Sequence, residues 1–169
     1  MNELQKKSRK IYPFLVAIFP ILIIYSQNIG RIEIEELFLP IILIVGLTIG
    51  LYYFLKLILK NENKSAIIVT LILIMLFSYG HIYYLLNDVM IDEFDIGRNR
   101  YLIPVFGLSL GIGIFLTIKI KTALDNATTI LNVVSVVLIL VAVGNIGLVL
   151  ADTASCENCG KYEGNITQE

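Results

Sequence analysis

The sequence predicts an all-α polytopic membrane protein: a five-helix transmembrane bundle with the N-terminus inside and the C-terminus outside. Hydrophobic residues make up 57% of the chain and charged residues only 16%, a composition outside the range of soluble domains. The apolar residues also collect in runs about as long as a bilayer is thick. These runs are residues 11–29, 37–59, 65–86, 101–118 and 129–150.

Length and patterning predict that each run is a helix. About 20 apolar residues in a helix cross the roughly 30 Å of hydrocarbon in a bilayer, and each run meets or approaches that length. Only helices and closed β-barrels satisfy all their backbone polar groups in lipid. Barrel strands alternate apolar and polar residues over segments of about 10 residues. The runs in this chain do not alternate, so we expect helices.

Prolines mark particular positions in three of the predicted helices. Pro13 and Pro20 lie in the first run, where neighbouring helices can satisfy the carbonyls that a proline leaves free, so a kink is expected there. Pro40 and Pro104 lie near the starts of the second and fourth runs. Proline costs little at a helix start because the missing N–H has no partner inside the helix.

Small residues and amides within the runs predict contacts between helices. The segments 46–50 and 107–111 each carry glycines four residues apart, a spacing that lets two helices approach closely. We interpret them as packing sites between helices of the same bundle, with dimerisation as the alternative. Asn132 and Asn145 are isolated amides in the fifth run, and we interpret them as helix-to-helix hydrogen bonds rather than a transport path.

The distribution of basic residues predicts the orientation. Cytoplasmic loops are enriched in lysine and arginine. With the N-terminus in the cytoplasm, nine basic residues fall inside and four outside. The inside set is Lys6, Lys7, Arg9, Lys10, Lys56, Lys60, Lys64, Lys119 and Lys121, and the outside set is Arg31, Arg98, Arg100 and Lys161. We therefore expect a multi-pass protein of the cell membrane with residues 1–150 as its membrane domain and residues 151–169 as an extracytoplasmic polar tail or linker.

Polar and aromatic residues collect at the outer ends of the predicted helices. Ser78, His81 and Asp88 are spaced i, i+3 and i+10, which places them near one helix face. His81 is the only histidine of the chain, and an ionisable residue within a span is a functional-site hypothesis by default. Asp88, or alternatively the loop acids Asp92 and Asp95, would hold His81 protonated.

We hypothesise that these residues form a pocket for an anionic lipid head group. The guanidinium forks of Arg98 and Arg100 suit phosphate or carboxylate. The alternative is an interfacial belt of aromatic and arginine side chains, with His81 as a hydrogen-bonding peg between helices. The candidate head-group residues are Asn28, Ser78, Tyr79, His81, Asp88, Arg98, Arg100 and Tyr101.

The tail carries the only two cysteines, Cys156 and Cys159. Structural zinc takes four ligands, and no histidine is close to this pair, while the thioredoxin-like context of a redox Cys-x-x-Cys is absent. A local disulfide is expected outside the cell. Half of a metal site completed by another chain is the alternative.

No nucleotide-binding, metalloprotease or hydrolase motif is present in the sequence. We therefore expect no cofactor, no metal and no catalysis by this chain alone. A net charge of −1 offers no basic surface for nucleic acid. The expected partners are membrane lipids and either an extracytoplasmic catalytic domain or other membrane subunits.

Several segments together resemble a known family. They are residues 12–14 (YPF), 24–30 (IYSQNIG), 77–81 (FSYGH), 98–104 (RNRYLIP) and 131–134 (LNVV). In this order they resemble the N-terminal membrane region of prokaryotic sulfatase-like proteins of the alkaline-phosphatase superfamily, beside phosphoglycerol transferases of the lipoteichoic-acid-synthase type. The resemblance implies about five spans followed by an extracytoplasmic catalytic domain. It covers none of that domain, so it carries over no catalytic residue and implies a membrane anchor.

Overall fold

The computed structural model describes residues 9–86, 90–91, 94–95, 99–120 and 124–166, with side chains in 9–86, 99–120 and 124–153. Within these ranges the chain is a helical bundle, which confirms the all-α prediction. The helices are α1 (Tyr12–Gln27), α2 (Phe38–Leu59), α3 (Glu62–Leu86), α4 (Asn99–Lys119) and α5 (Asp125–Ile166). A short 3-10 helix, Ile34–Leu37, precedes α2, and two-residue strands β1 (Met90–Ile91) and β2 (Phe94–Asp95) pair antiparallel before α4.

Four helical segments of the described chain are long and apolar enough to cross a membrane. They are Ile34–Leu59, Glu62–Leu86, Asn99–Lys119 and Asp125–Thr153. This confirms a multi-pass membrane protein. The remaining helix, α1, is apolar but only 16 residues long, which corresponds to about 24 Å at 1.5 Å per residue.

The predicted runs and the helices coincide closely except at the C-terminus. There the sequence predicts an unpatterned tail after residue 150, whereas α5 continues as helix to Ile166. Its 42 residues correspond to about 63 Å. Extending a helix that already exists adds one backbone hydrogen bond for each residue fixed, so a polar segment can continue a helix that it would not start.

Helices that are consecutive in sequence run in opposite directions, and two contacts show which helix ends lie together. The Lys10 ammonium lies 3.1 Å from the Glu62 carboxylate, which joins the starts of α1 and α3. The Lys64 ammonium donates to the Ile118 carbonyl at 2.6 Å, which joins the start of α3 to the end of α4. We call this the lysine end, defined by Lys10, Lys56 and Lys64. The opposite, aromatic end is defined by Tyr79, Tyr83 and Tyr84.

The first three helices pack against one another, while α5 lies along α1 and α4 lies along α3. Ala17, Val69 and Leu73 are the buried apolar centre, where α1 meets α3. The outward sides of α2, α4 and α5 expose many large apolar side chains. Hydrocarbon solvates such side chains, so packing and polar contacts rather than the hydrophobic effect hold membrane helices together.

Five of the buried hydroxyl groups in the described chain are satisfied by backbone carbonyls nearby in sequence, whereas the hydroxyls of Tyr12 and Thr128 have no hydrogen-bond partner there. Each of the five donates to a carbonyl three or four residues earlier, at distances of 2.7–3.0 Å. This removes an unpaired donor where no water is present. The five residues are Thr48, Ser65, Thr70, Thr117 and Ser135.

The side chain of Asn132 joins α5 to the first turn of α1. Its Oδ1 accepts from the backbone N–H groups of Ile11 at 3.2 Å and Tyr12 at 3.1 Å, and its Nδ2 donates to the Arg9 carbonyl at 2.6 Å. Thirteen residues later, the Asn145 amide donates to the Ser26 hydroxyl at 3.4 Å. The two contacts confirm the helix-to-helix interpretation of both amides and hold α1 parallel to α5.

Among the glycines of the described chain, Gly113 is the one that packs tightly against another helix. A Cβ atom at this position would lie 2.5 Å from Leu71 Cδ2, on the facing side of α3. The glycines at 46, 50, 107 and 111 meet no described atom within 4 Å of such a Cβ. The predicted packing of these two glycine pairs against other helices of the chain is therefore wrong, because both pairs lie on sides of α2 and α4 that face away from the bundle.

We predict that Asn132→Ala destabilises the protein by about 1–2 kcal/mol, because it leaves two backbone N–H groups of α1 without acceptors. Asn145→Ala is the matched control. Its longer bond predicts a loss of only about 0.6 kcal/mol. Thermal unfolding of the purified protein in detergent measures both. An equal or larger loss for Asn145→Ala would contradict the role assigned to Asn132.

We also predict that Gly113→Ile destabilises the contact between α3 and α4 by about 1–3 kcal/mol through overpacking. Gly111→Ile makes the same chemical change two residues away, where the space is open. The control should change stability by less than about 0.5 kcal/mol. Equal thermal midpoints for the two variants would show that α3 and α4 do not meet at Gly113.

Candidate functional site

At the aromatic end, Tyr79 joins α3 to the start of α4. Its hydroxyl donates to Asn99 Oδ1 at 2.7 Å. Its ring lies edge-on to Phe106, with centroids 5.3 Å apart, and stacks on Tyr83 at 6.5 Å. Among the predicted head-group residues that the structure describes, Tyr79 is therefore the one with a defined contact across helices. Asn99 was missed as a site residue, although its place beside two arginines at the start of a span is a usable signal.

His81 is exposed, and its Nδ1 lies 3.4 Å from the Phe77 carbonyl of its own helix. No contact joins it to another helix within the described ranges. Two of its predicted neighbours, Asp88 and Arg98, lie outside the described residues. The pairing of His81 with an acid therefore stays a prediction.

The other predicted head-group residues are dispersed around the aromatic end. Arg100 and Tyr101 are exposed in the first turn of α4, and Ser78 is half-buried on α3. Asn28 follows the end of α1, where its Nδ2 donates to the Ile24 carbonyl at 2.8 Å and satisfies the last turn of that helix. These placements leave both the pocket and the interfacial belt as predictions.

Cys156 and Cys159 lie on the helical backbone of α5, and their side chains are outside the described ones. The disulfide and half-metal-site interpretations both stay predictions. Within the described residues, no group of three or more His, Cys, Asp or Glu side chains is arranged to hold a metal ion.

The lysine end contains a more compact charged cluster. The Glu62 carboxylate lies 3.1 Å from the Lys10 ammonium and 3.0 Å from that of Lys56. Only 11% of the Lys10 side chain is exposed, so this ion pair is mostly shielded from solvent. Glu62 also occupies the first turn of α3, where a negative charge is favoured by the helix dipole.

The tight connection between α2 and α3 creates this cluster. Helix α2 ends at Leu59, and the left-handed backbone of the next residue, Lys60 (φ 50°), reverses the chain. The Asn61 side chain then accepts from the Lys64 backbone N–H at 3.1 Å and caps α3. This turn places Lys56 in the last turn of α2 beside Glu62 in the first turn of α3.

A cavity of about 630 Å³ opens beside the ion pair, between α1, α2 and α3. Its charged part is formed by residues at the lysine end, and its deeper part is apolar. Two tyrosines of α2 lie between these parts, with ring centroids 5.6 Å apart. The lining residues are Arg9, Lys10, Phe14, Ile49, Tyr52, Tyr53 and Glu62.

Sequence reasoning treated the lysines at this end as ordinary membrane anchors and missed the cavity. A usable signal was present: Glu62 is a single acid between Lys60 and Lys64. An acid in an otherwise basic loop indicates an ion pair. The contribution of α1 to the cluster depends on the packing of helices distant in sequence, which no local pattern specifies.

Comparisons of this chain with protein-family models, with curated proteins and with solved structures give no match. No function therefore carries over from a relative, and the function proposed below depends on the geometry of the chain and on the resemblance described above.

Proposed function

We propose that this chain is a five-span membrane anchor of a sulfatase-like or phosphoglycerol-transferase-like system in the cell membrane. It holds a catalytic partner at the extracytoplasmic face and catalyses nothing by itself. The observation that carries this proposal is the continuity of α5, which packs along α1 and then extends as helix to Ile166. From Leu150 onward this extension corresponds to roughly 24 Å.

The orientation in this proposal is N-terminus inside and C-terminus outside. The excess of lysine and arginine at the lysine end supports a cytoplasmic location for that end. Helix α1 is the fifth span, because its two ends contact Asn132 and Asn145 of α5 and so extend over the same depth. A 16-residue span is short, and local thinning of the bilayer accommodates a short span at modest cost.

At the extracytoplasmic face, the aromatic end offers a surface for an anionic lipid head group. Arg100 and Tyr101 are exposed at the start of α4, next to Asn99, which is fixed by Tyr79. In a phosphoglycerol-transferase-like system this surface would retain a lipid substrate close to the catalytic partner.

A second function is favoured by the open glycine positions: a small integral subunit of a larger membrane complex. Four glycines, two on α2 and two on α4, face away from the bundle, and no atom of the described chain lies within 4 Å of a Cβ built at Gly46, Gly50, Gly107 or Gly111. Helices of other subunits approach most closely at such positions. This function predicts membrane-embedded partners rather than an extracytoplasmic enzyme.

We predict that an impermeant maleimide labels Cys156 and Cys159 in intact cells after treatment with an impermeant reductant. These are the only cysteines of the chain, so a Cys156→Ser/Cys159→Ser background gives a clean control. In that background, Lys119→Cys should be labelled only after the membrane is permeabilised. Labelling of Lys119→Cys in intact cells would reverse the orientation.

Recovery of the protein with an antibody to residues 156–169 separates the two functions. The anchor function predicts phosphodiesterase or sulfatase activity in the recovered material, either on a polypeptide much heavier than 19.0 kDa or on a bound soluble enzyme. Recovery at 19.0 kDa with only stoichiometric membrane proteins, and no hydrolase activity, would contradict the anchor function. In that case Gly46→Ile and Gly107→Ile should release those partners, with Leu108→Ile as the control.

A further inference from the structure

We propose that the cavity at the lysine end binds an anionic phospholipid, with the phosphate beside Arg9 and Lys10 and an acyl chain beside Phe14 and Ile49. The inference does not depend on the anchor function, because it concerns the opposite end of the bundle from the tail. It also differs from the head-group surface predicted around His81.

The charge of the cavity selects an anion. Arg9 and Lys10 line the cavity together with one acid, Glu62, and the Glu62 carboxylate is paired with both Lys10 and Lys56. The lysines share this carboxylate, whereas the Arg9 guanidinium makes no hydrogen bond or ion pair with any residue in the described part of the chain. An arginine guanidinium binds phosphate through two parallel N–H donors, which suits a phosphodiester.

The shape of the cavity selects an amphiphile rather than a small anion. Ile49 lies about two helical turns deeper along α2 than Lys56, and Phe14 lies one turn deeper along α1 than Lys10. Both apolar residues line the same cavity as Arg9. Its volume of about 630 Å³ is in the usual range for ligand sites. An inorganic ion would occupy only the charged part.

Tyr52 and Tyr53 line the cavity between its charged part and its apolar part. In a bound lipid, this is where the head group joins the acyl chains. Tyrosine is favoured at membrane interfaces because its ring is apolar and its hydroxyl is polar. Tyr53 is 59% exposed, so this part of the cavity lining is accessible from outside the bundle. In our proposal the lipid enters from the bilayer on this side.

The test compares Arg9→Gln with Lys119→Gln. Lys119 is an exposed cation at the same end of the bundle, on α4 and away from the cavity. Native mass spectrometry of the detergent-purified protein, titrated with phosphatidylglycerol or phosphatidylcholine of identical chains, measures binding. We expect the wild type to prefer phosphatidylglycerol and Arg9→Gln to weaken that binding about tenfold, as loss of a charge-assisted contact predicts. Lys119→Gln should change it less than about twofold.

Two further measurements distinguish a lipid from a free anion. Arg9→Lys keeps the charge but loses the fork, so it should bind phosphatidylglycerol with intermediate affinity. Ile49→Phe should weaken lipid binding by filling the apolar part of the cavity. Inorganic phosphate should compete poorly with the lipid. Thermal unfolding of each variant checks that it is folded.

Three outcomes would overturn the proposal. One is an equal loss of phosphatidylglycerol for Arg9→Gln and Lys119→Gln, which would indicate attraction by the whole lysine end. Another is equal binding of phosphatidylglycerol and phosphatidylcholine by the wild type. The last is displacement of the lipid by inorganic phosphate with no effect of Ile49→Phe, which would identify a free anion as the ligand.

Discussion

The first turn of α1 contains a buried backbone N–H, and another helix supplies the acceptor that this group needs. Tyr12 is fully buried, so its backbone N–H cannot be satisfied by solvent. Asn132 of α5 provides the oxygen instead, so α5 passes the start of α1 at the same depth. The contact of Asn145 with Ser26 at the other end of α1 makes the two helices run in the same direction. The three helices between them in sequence reach this arrangement by alternating in direction.

Polar contacts at both ends of the bundle supplement its apolar centre. The core cluster consists of Ala17, Val69 and Leu73, with partly buried neighbours around it. The ends are joined by the ion pairs of Glu62 at the lysine end and by the Tyr79–Asn99 bond at the aromatic end. The Lys10 side chain is only 11% exposed, so its ion pair with Glu62 competes less with water than an exposed pair does. Because these contacts are specific in position, they set the relative depth of the helices that they join.

The sequence was sufficient to predict the helices and the two bridging amides. It was not sufficient to predict how each helix is rotated about its own axis. An apolar residue is suitable for both lipid and protein neighbours, so a helix that is apolar all round carries no stripe that identifies its inner face. For this reason the sequence did not show that Gly113, rather than the glycines at 107 and 111, contacts α3. The same reason explains the missed cavity, since its lining comes from faces of α1 and α2 that only packing defines. At the aromatic end, Tyr79 was predicted as a site residue but Asn99, its partner, was not.

The unbroken backbone of α5 gives the protein a mechanical property. One helix carries Asn132 near the lysine end and reaches Ile166 beyond the last contact with α1. A helix transmits torque along its axis because every residue is tied to the turns above and below it. A load that twists the far end of α5 would therefore turn Asn132 relative to the N–H groups of α1. Strain applied at one membrane face would thus reach the hydrogen bonds at the other.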